Sequence, residues 1–146
     1  MSDSESSVVP VRWVGGLKDG YLEMIDQSRR TDGDVWLVMA DADDIVDHVV
    51  DGAIRKPPAL GTAAAYAVAL IGRDAALAGE FDQMSKRLED LADRLEEVRP
   101  DAVDLRWALD RMREGLDTSD DRPPRRIVER LFEEARTIAG ELHADN

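Results

Sequence analysis

The 146-residue sequence contains no cysteine, and aromatic residues make up only 5% of it. The missing thiol excludes disulfide bonds, thiolate metal ligands and a cysteine nucleophile within these residues. The two histidines, His48 and His143, lie far apart in sequence without a partner at metal-ligand spacing, so we expect neither a metal site nor a cofactor. The scarcity of aromatic residues predicts a core built mainly from alanine, valine, leucine and isoleucine.

Basic residues are also few: 19 stand against 32 acidic ones, which gives a formal net charge of −13. This charge repels a phosphate backbone, and no long block of lysine and arginine offsets it, so we expect neither nucleic acid nor a membrane as a partner. The longest apolar run, PPALGTAAAYAVALIG, is short for a membrane span, and the start MSDSESSVV lacks the basic region and apolar centre of a signal peptide. The sequence therefore predicts a cytoplasmic protein.

The hydrophobic pattern changes from extended to helical along the chain. The segments VRWV and YLEMID flank the turn GGLKDG and predict a hairpin, and VWLVM predicts a third strand. Helical spacing follows, with proline and glycine marking the boundaries. The predicted helices run roughly from Ala42 to Ile54, from Pro58 to about Arg73 or beyond, along a seam from Phe81 to Val98, from about Ala102 to Leu116, and along apolar residues from Ile127 to Leu142.

These elements predict an α+β fold, in which a small amino-terminal antiparallel sheet of about three strands precedes a bundle of about five helices. The length allows one domain with a real core. We expect residues 1–9, which are rich in serine and acidic side chains, to form a disordered tail, and residues 10–146 to form a single domain.

Arg55 and Lys56 lie between the predicted end of the first helix and the start of the second. In one interpretation they stabilise the carboxyl end of the first helix through the backbone dipole, which is worth ~0.3–1 kcal/mol for each charge. In the other they flank the positive amino end of the second helix, where free N–H groups and fixed cations together bind a phosphate or carboxylate. The residues alone allow both interpretations.

Arg99 is a second arginine close to a proline at a helix boundary, in the segment VRPDAVDLRWALDRM. It could converge with Arg55 on one anion, or it could form a surface ion pair with Asp101 or Glu97, worth about 0–1 kcal/mol. The small side chains of GTAAAYAVAL allow either close helix packing or the close approach of a ligand. No pair of carboxylates stands out for acid–base chemistry, so no catalytic residue is assigned.

Three segments resemble the S-methyl-5-thioribose-1-phosphate isomerase family. WVGGLKDGYLEMIDQSR is similar to its opening, IRKPPALGTAAAYAVAL resembles its Val-Arg-Gly-Ala-Pro-Ala-Ile-Gly motif and Ala-Ala-Ala-Tyr helix, and RPDAVDLRWALDRM resembles its Arg-Pro-Thr-Ala-Val-Asn-Leu-x-Trp-Ala segment. Order and spacing agree over residues 11–144. The same superfamily includes ribose-1,5-bisphosphate isomerases and the regulatory subunits of the exchange factor for translation initiation factor two.

The resemblance implies an amino-terminal domain in which Arg55 and Arg99 match the arginines that hold the sugar phosphate. Together with the adjacent Lys56, they form the predicted substrate-binding set. The chain departs from the family pattern at four positions near these arginines, where glycine, alanine, threonine and asparagine are replaced by Lys56, Pro57, Asp101 and Asp104.

The family also has a carboxyl-terminal Rossmann-like domain that supplies a catalytic cysteine and aspartate, and we expect this chain to lack it. The first functional hypothesis is a sugar-phosphate-binding subunit of a split aldose–ketose isomerase for a 5-substituted ribose 1-phosphate, inactive without a protein partner that carries the catalytic domain. The second is a non-catalytic regulatory or protein-interaction module from the same family. The third is a fragment of a longer gene product.

Overall fold

A computed structural model of the chain describes residues 11–28, 35–116 and 121–144. It confirms the predicted α+β architecture of an amino-terminal antiparallel sheet followed by five helices. The predicted disordered tail, residues 1–9, lies outside the described residues. The strands are β1 (Val11–Val14), β2 (Tyr21–Ile25) and β3 (Trp36–Met39), and the helices are α1 (Ala42–Val50), α2 (Ala59–Leu77), α3 (Met84–Val98), α4 (Val103–Gly115) and α5 (Pro124–His143).

The sheet has the strand order β1-β2-β3 and one face turned toward the core. Leu22 and Met24 of β2 are buried, whereas the residues between and beside them are half-buried. Leu22 is paired with Met39 of β3, which is also buried. The alternation read from the sequence therefore gives the correct face of the central strand, because successive side chains of a strand point to opposite sides.

The first helix ends earlier than predicted. It runs to Val50 rather than Ile54, because Gly52 adopts a left-handed conformation with φ of +86° just after the helix end. Ala53 and Ile54 continue the apolar periodicity and are buried, but they lie in the turn beyond the helix. The Ile54 N–H donates to the carbonyl of His48 at 3.0 Å, which folds this turn back onto α1.

Helix α2 is the core of the bundle, and almost all of its residues are buried. Among the described residues it is the one helix long and apolar enough to cross a membrane by length and composition alone, and 78% of its apolar window is buried inside the fold. Its small residues permit close contact with neighbouring helices: a Cβ built on Gly61, the first residue of GTAAAYAVAL, would lie 2.7 Å from Cδ1 of Leu142 in α5 and 2.8 Å from the backbone oxygen of Asp104 in α4. The run GTAAAYAVAL therefore serves close helix packing, one of the two alternatives that the sequence allowed.

A buried arginine fastens the sheet to α2. Arg73 is only 8% exposed, and its two terminal nitrogens donate to the carbonyl oxygens of Gly20 and Ala40, each at 2.8 Å. Gly20 precedes β2 and Ala40 follows β3. Nε donates to the carboxylate of Asp74 at 2.9 Å. One side chain of the central helix thus satisfies backbone acceptors from two separate parts of the sheet.

Candidate functional site

An open cleft of about 930 Å³ lies where the amino end of α2, the connection between α3 and α4, and the carboxyl end of α5 come together. Arg55 and Arg99 both lie in its wall, so the structure brings the two predicted arginines to one cavity. Much of the remaining wall is apolar and includes Pro57, Leu60, Val103, Trp107 and Leu142.

Arg55 is fixed from two sides in the turn that links α1 to α2. Its Nε donates a hydrogen bond to the carbonyl oxygen of Gly52 at 3.0 Å. The backbone N–H groups of Arg55 and Lys56 both donate to Oε1 of Gln27, at 2.7 and 2.9 Å. The N–H of Gln27, which follows β2, donates in turn to the carbonyl of Ala53 at 2.8 Å. Gln27 therefore ties the turn that carries both cations to the end of the sheet.

Arg99 follows the last residue of α3, and its side chain is half-buried. Its terminal nitrogens lie 3.5 Å from the carbonyl oxygens of Val98 and Val49, at the outer limit of a hydrogen bond. Val49 belongs to the last turn of α1, so the guanidinium lies near the carboxyl end of that helix, as does that of Arg55. The positions of the two arginines are thus compatible with both sequence interpretations.

Lys56 is placed differently from the two arginines. Its side chain is exposed and does not belong to the residues that line the cleft. Its backbone, by contrast, is bonded on both sides: the N–H donates to Gln27, and the carbonyl accepts from the N–H of Leu60 at 3.2 Å. A part for Lys56 in anion binding therefore stays a prediction, and the cleft does not require it.

The amino end of α2 does not offer the free N–H groups that the anion-site interpretation assumed. The N–H groups of Leu60 and Thr62 donate to backbone carbonyls four residues earlier, at 3.2 and 3.1 Å. Between them, the N–H of Gly61 donates to Oδ2 of Asp104 in the first turn of α4, at 2.6 Å. The prediction is wrong for these three amides, because the chain itself satisfies them and a carboxylate of its own occupies the positive end of the helix.

The two arginines of the cleft form no ion pair with another described residue. Among residues 11–28, 35–116 and 121–144, no carboxylate lies within 4.0 Å of the guanidinium nitrogens of Arg55 or Arg99. The suggested surface pair of Arg99 with Asp101 or Glu97 is therefore not formed. Two arginines without carboxylate partners in one cavity leave charged donors available to an anionic ligand.

Carboxylates nevertheless lie in the same wall, at Asp101, Asp104 and Glu141. Glu141 is paired with Arg111 of α4, whose pKa is raised by its hydrogen bonds to Glu141 and Glu134. Asp101 is exposed, and one oxygen of Asp104 is enclosed without a hydrogen-bond partner within the described structure. The cleft therefore combines two guanidinium groups with acceptors suited to hydroxyl groups.

The amino end of α2 is also tied to the carboxyl end of α5. Nε2 of His143 lies 3.0 Å from Oγ1 of Thr62, and the Thr62 hydroxyl donates to the carbonyl of Pro58 at 3.0 Å. Because the hydroxyl proton is used in that second bond, Nε2 must be the donor toward Thr62. Burial lowers the pKa of His143 below its ordinary value of 6.5, so the ring is neutral in the folded protein at neutral pH.

This pKa shift predicts a loss of stability on mild acidification, from about pH 7.5 to about pH 5.5. The unfolded chain binds a proton at His143 more readily, so the stabilisation is complete above 6.5 and is lost as the pH falls toward the lower folded pKa. The melting temperature of the wild type should fall more steeply over this range than that of His143→Gln, whose amide can still donate to Thr62. Equal slopes for the wild type and His143→Gln would contradict the assignment.

Two residues that shape the site were not identified from the sequence. Gln27 holds the turn of Arg55 from 28 positions earlier, and His143 reaches Thr62 across 81 positions. The segment that carries Gln27 was distinguished only by its resemblance to the opening of the isomerase family. Contacts over such separations leave no local pattern in the sequence.

Within the described part of the chain, no group of three or more histidine, cysteine, aspartate or glutamate side chains could hold a metal ion. The chemistry that the cleft does offer is recognition. Arg55 and Arg99 can donate charged hydrogen bonds to an anion, and the carboxylates beside them can accept hydrogen bonds from hydroxyl groups.

Comparison with known proteins gives relatives that share one name. The chain is 34% identical over 140 residues to the methylthioribose-1-phosphate isomerase of Syntrophotalea carbinolica, an alignment that covers 96% of this chain and 39% of that protein. It is 42% identical over 98 residues to the enzyme of the same name from Alkalilimnicola ehrlichii, covering 67% of this chain and 28% of the relative. The chain thus spans less than two fifths of the length of these relatives.

Two solved structures share the fold. The crystal structure of the translation initiation factor eIF-2B, subunit delta, from A. fulgidus superposes with a TM-score of 0.73 at 26% identity, over 92% of this chain and 37% of that one. The 5-methylthioribose 1-phosphate isomerase of Pyrococcus horikoshii superposes with a TM-score of 0.75 at 22% identity, over 97% and 39%. A family model described as the Initiation factor 2 subunit family matches residues 53–146, which include the whole cleft. The chain therefore belongs to the Initiation factor 2 subunit family.

Proposed function

We propose that this chain is the sugar-phosphate-binding part of an aldose–ketose isomerase that acts on a 5-substituted ribose 1-phosphate. The observation that supports this most directly is that Arg55 and Arg99 both lie in the wall of one cleft and have no carboxylate partner within the described part of the chain. A phosphate dianion accepts bidentate hydrogen bonds from guanidinium groups, which are stronger than neutral ones. The name that several relatives share, methylthioribose-1-phosphate isomerase, is in keeping with a ligand of this class.

The catalytic part of the reaction belongs to a partner in this proposal. The 146 residues contain no cysteine, so the thiol that the isomerase family uses must come from another polypeptide segment. We propose a protein partner with a Rossmann-like domain that supplies the cysteine and aspartate and covers the open side of the cleft. The role of this chain is to hold the phosphate so that the sugar ring faces the partner. A cytoplasmic location is part of the same proposal.

Calorimetric titration with ribose 1-phosphate tests the binding role. We expect the wild type to bind, and Arg55→Ala and Arg99→Ala each to weaken binding by about tenfold or more, because each removes charge-assisted hydrogen bonds to the phosphate. Lys56→Ala is the matched comparison: it removes a neighbouring cation whose side chain is outside the lining, and it should cost less.

The catalytic half of the proposal is tested by adding the partner. The chain alone should show no isomerisation, and a partner with the Rossmann-like domain should confer it. A partner that restores full activity to the wild type and equally to Arg55→Ala and Arg99→Ala would show that the arginines do not serve the substrate.

A second candidate function is a non-catalytic regulatory or protein-interaction module. It is favoured by the three carboxylates in the cleft wall, which outnumber the two arginines there and oppose the binding of an anion. This function predicts a stable complex with another protein and no measurable affinity for a pentose 1-phosphate. The titration above therefore separates the two functions.

A further inference from the structure

The Asp104 carboxylate stands at the positive end of α2 and inside the wall of the cleft. Oδ2 accepts the N–H of Gly61 at 2.6 Å, and Gly61 lies in the first turn of α2. A carboxylate at the amino end of a helix interacts favourably with the helix dipole. The other oxygen, Oδ1, is enclosed and has no hydrogen-bond donor among the described residues. The chain thus carries its own anion at the helix end.

This arrangement reduces the hydrogen-bond donors and the net positive charge that the cleft offers to an external anion. The amides of Leu60, Gly61 and Thr62 are already used, so the helix end offers none of these three donors. The remaining attraction comes from Arg55 and Arg99, and the negative charge of Asp104 in the same wall opposes it. A ligand with no groups beyond its anionic charge is therefore attracted by two arginines and repelled by one fixed carboxylate.

We propose that the charge of Asp104 weakens the binding of any phosphate group to the Arg55 and Arg99 pair, so that free inorganic phosphate is excluded and binding depends on the hydroxylated body of the ligand. A sugar phosphate brings several hydroxyl donors that can bond to acceptors in the wall such as the exposed Asp101, whereas inorganic phosphate at neutral pH has only the donors of its P–OH groups. The selectivity for a phosphate attached to a sugar rests on the proposed function, but the exclusion of inorganic phosphate does not.

Two substitutions at Asp104 separate its charge from its hydrogen bond. Asp104→Asn removes the charge and keeps an oxygen for the Gly61 N–H, and we expect it to bind inorganic phosphate about tenfold more tightly than the wild type, as expected for removing a unit charge close to a partly exposed anion. Asp104→Ala also frees the Gly61 amide and should bind phosphate at least as tightly. Asp101→Asn is the matched control: it removes an exposed charge from the same wall and should gain only about twofold because of solvent screening.

The measurement is calorimetric titration of each folded variant with sodium phosphate and with ribose 1-phosphate, in low salt and in about 1 M sodium chloride, where the Debye length is about 3 Å. The gain of Asp104→Asn should shrink in high salt, and ribose 1-phosphate should gain by a similar factor, because it carries the same phosphate charge. Adding Arg55→Ala and Arg99→Ala to Asp104→Asn should abolish the gain, which places the bound phosphate in this cleft.

The proposal is overturned if Asp104→Asn and Asp104→Ala bind phosphate no better than the wild type in low salt, or if the gain survives loss of both arginines. Its failure is distinguishable from failure of the proposed function. A wild type that does not bind ribose 1-phosphate contradicts the function, yet the comparison of phosphate affinities between the wild type and Asp104→Asn still tests the exclusion. A wild type that binds ribose 1-phosphate, with no phosphate gain in the variants, removes the role of Asp104 alone.

Discussion

Replacing Arg73 with methionine should lower the free energy of unfolding by about 3 kcal/mol, as expected when a buried arginine network is broken and its acceptors remain. Methionine has a similar length and no donor, so the carbonyl of Gly20 would stay buried without a partner, and that of Ala40 would lose its bond. The melting temperature should fall by roughly 6–12 °C for a domain of this size. Urea unfolding followed by circular dichroism gives the free energy directly.

Arg94→Met is the control that makes this result specific. Arg94 is an arginine with a comparable bond to Asp43 at 3.1 Å, but its side chain is 51% exposed and that of Asp43 77%. Exposed pairs are worth about 0–1 kcal/mol, so this substitution should have little effect. Similar losses at Arg73 and Arg94 would mean that Arg73 does not hold the sheet to α2 as described.

The second large effect is expected at Gly61. A Cβ at this position would lie 2.8 Å from the backbone oxygen of Asp104, 2.7 Å from Cδ1 of Leu142 and 3.0 Å from Oδ2 of Asp104. The leucine side chain can move, but the backbone oxygen at the start of α4 can yield only if the helix shifts. We therefore expect Gly61→Ala to destabilise the protein by about 2 kcal/mol through overpacking, although alanine is the better helix former by ~1 kcal/mol.

Gly140→Ala is the matched substitution, with the opposite sign expected. Gly140 is also a helical glycine, but it is exposed on α5, and an added Cβ meets nothing within 4 Å. The gain in helix propensity should therefore stabilise the protein by up to about 1 kcal/mol. Thermal or urea unfolding of both variants measures these opposite changes in stability. A neutral or stabilising Gly61→Ala would contradict the close approach of α4 to α2.

The order and type of the elements could be predicted from the sequence because the spacing of the apolar residues and the positions of proline and glycine indicated the same boundaries. Proline at positions 57, 58 and 100 marked the start of α2 and the end of α3, and alternation marked β2. The predicted end of α1 was too late because the spacing of apolar residues indicates which residues are buried, and a buried residue need not be helical. Ala53 and Ile54 are buried by a turn that folds back after Gly52, and the pattern alone could not distinguish that from another turn of helix.

Of the candidate site, only the presence of Arg55 and Arg99 in one cleft could be predicted from the sequence. Arg55 and Arg99 each lie at a helix boundary, and such boundaries in a small bundle are brought together at its ends, which is where the cleft opens. The state of the α2 amides was not predictable, because the group that satisfies Gly61 is Asp104, 43 positions later. A bond of that separation depends on how α4 lies against α2, and this follows from the assembled core.

Helix α2 has another consequence for how the domain behaves as a unit. Each of the other four α-helices lies against it. No helix of the bundle can therefore detach without exposing part of the apolar surface of α2 to water. The local unfolding of one helix thus removes contacts that also stabilise the others. A central rod of this kind couples the separate parts into a single melting transition, so that the geometry of the cleft at one end persists or disappears with the whole domain.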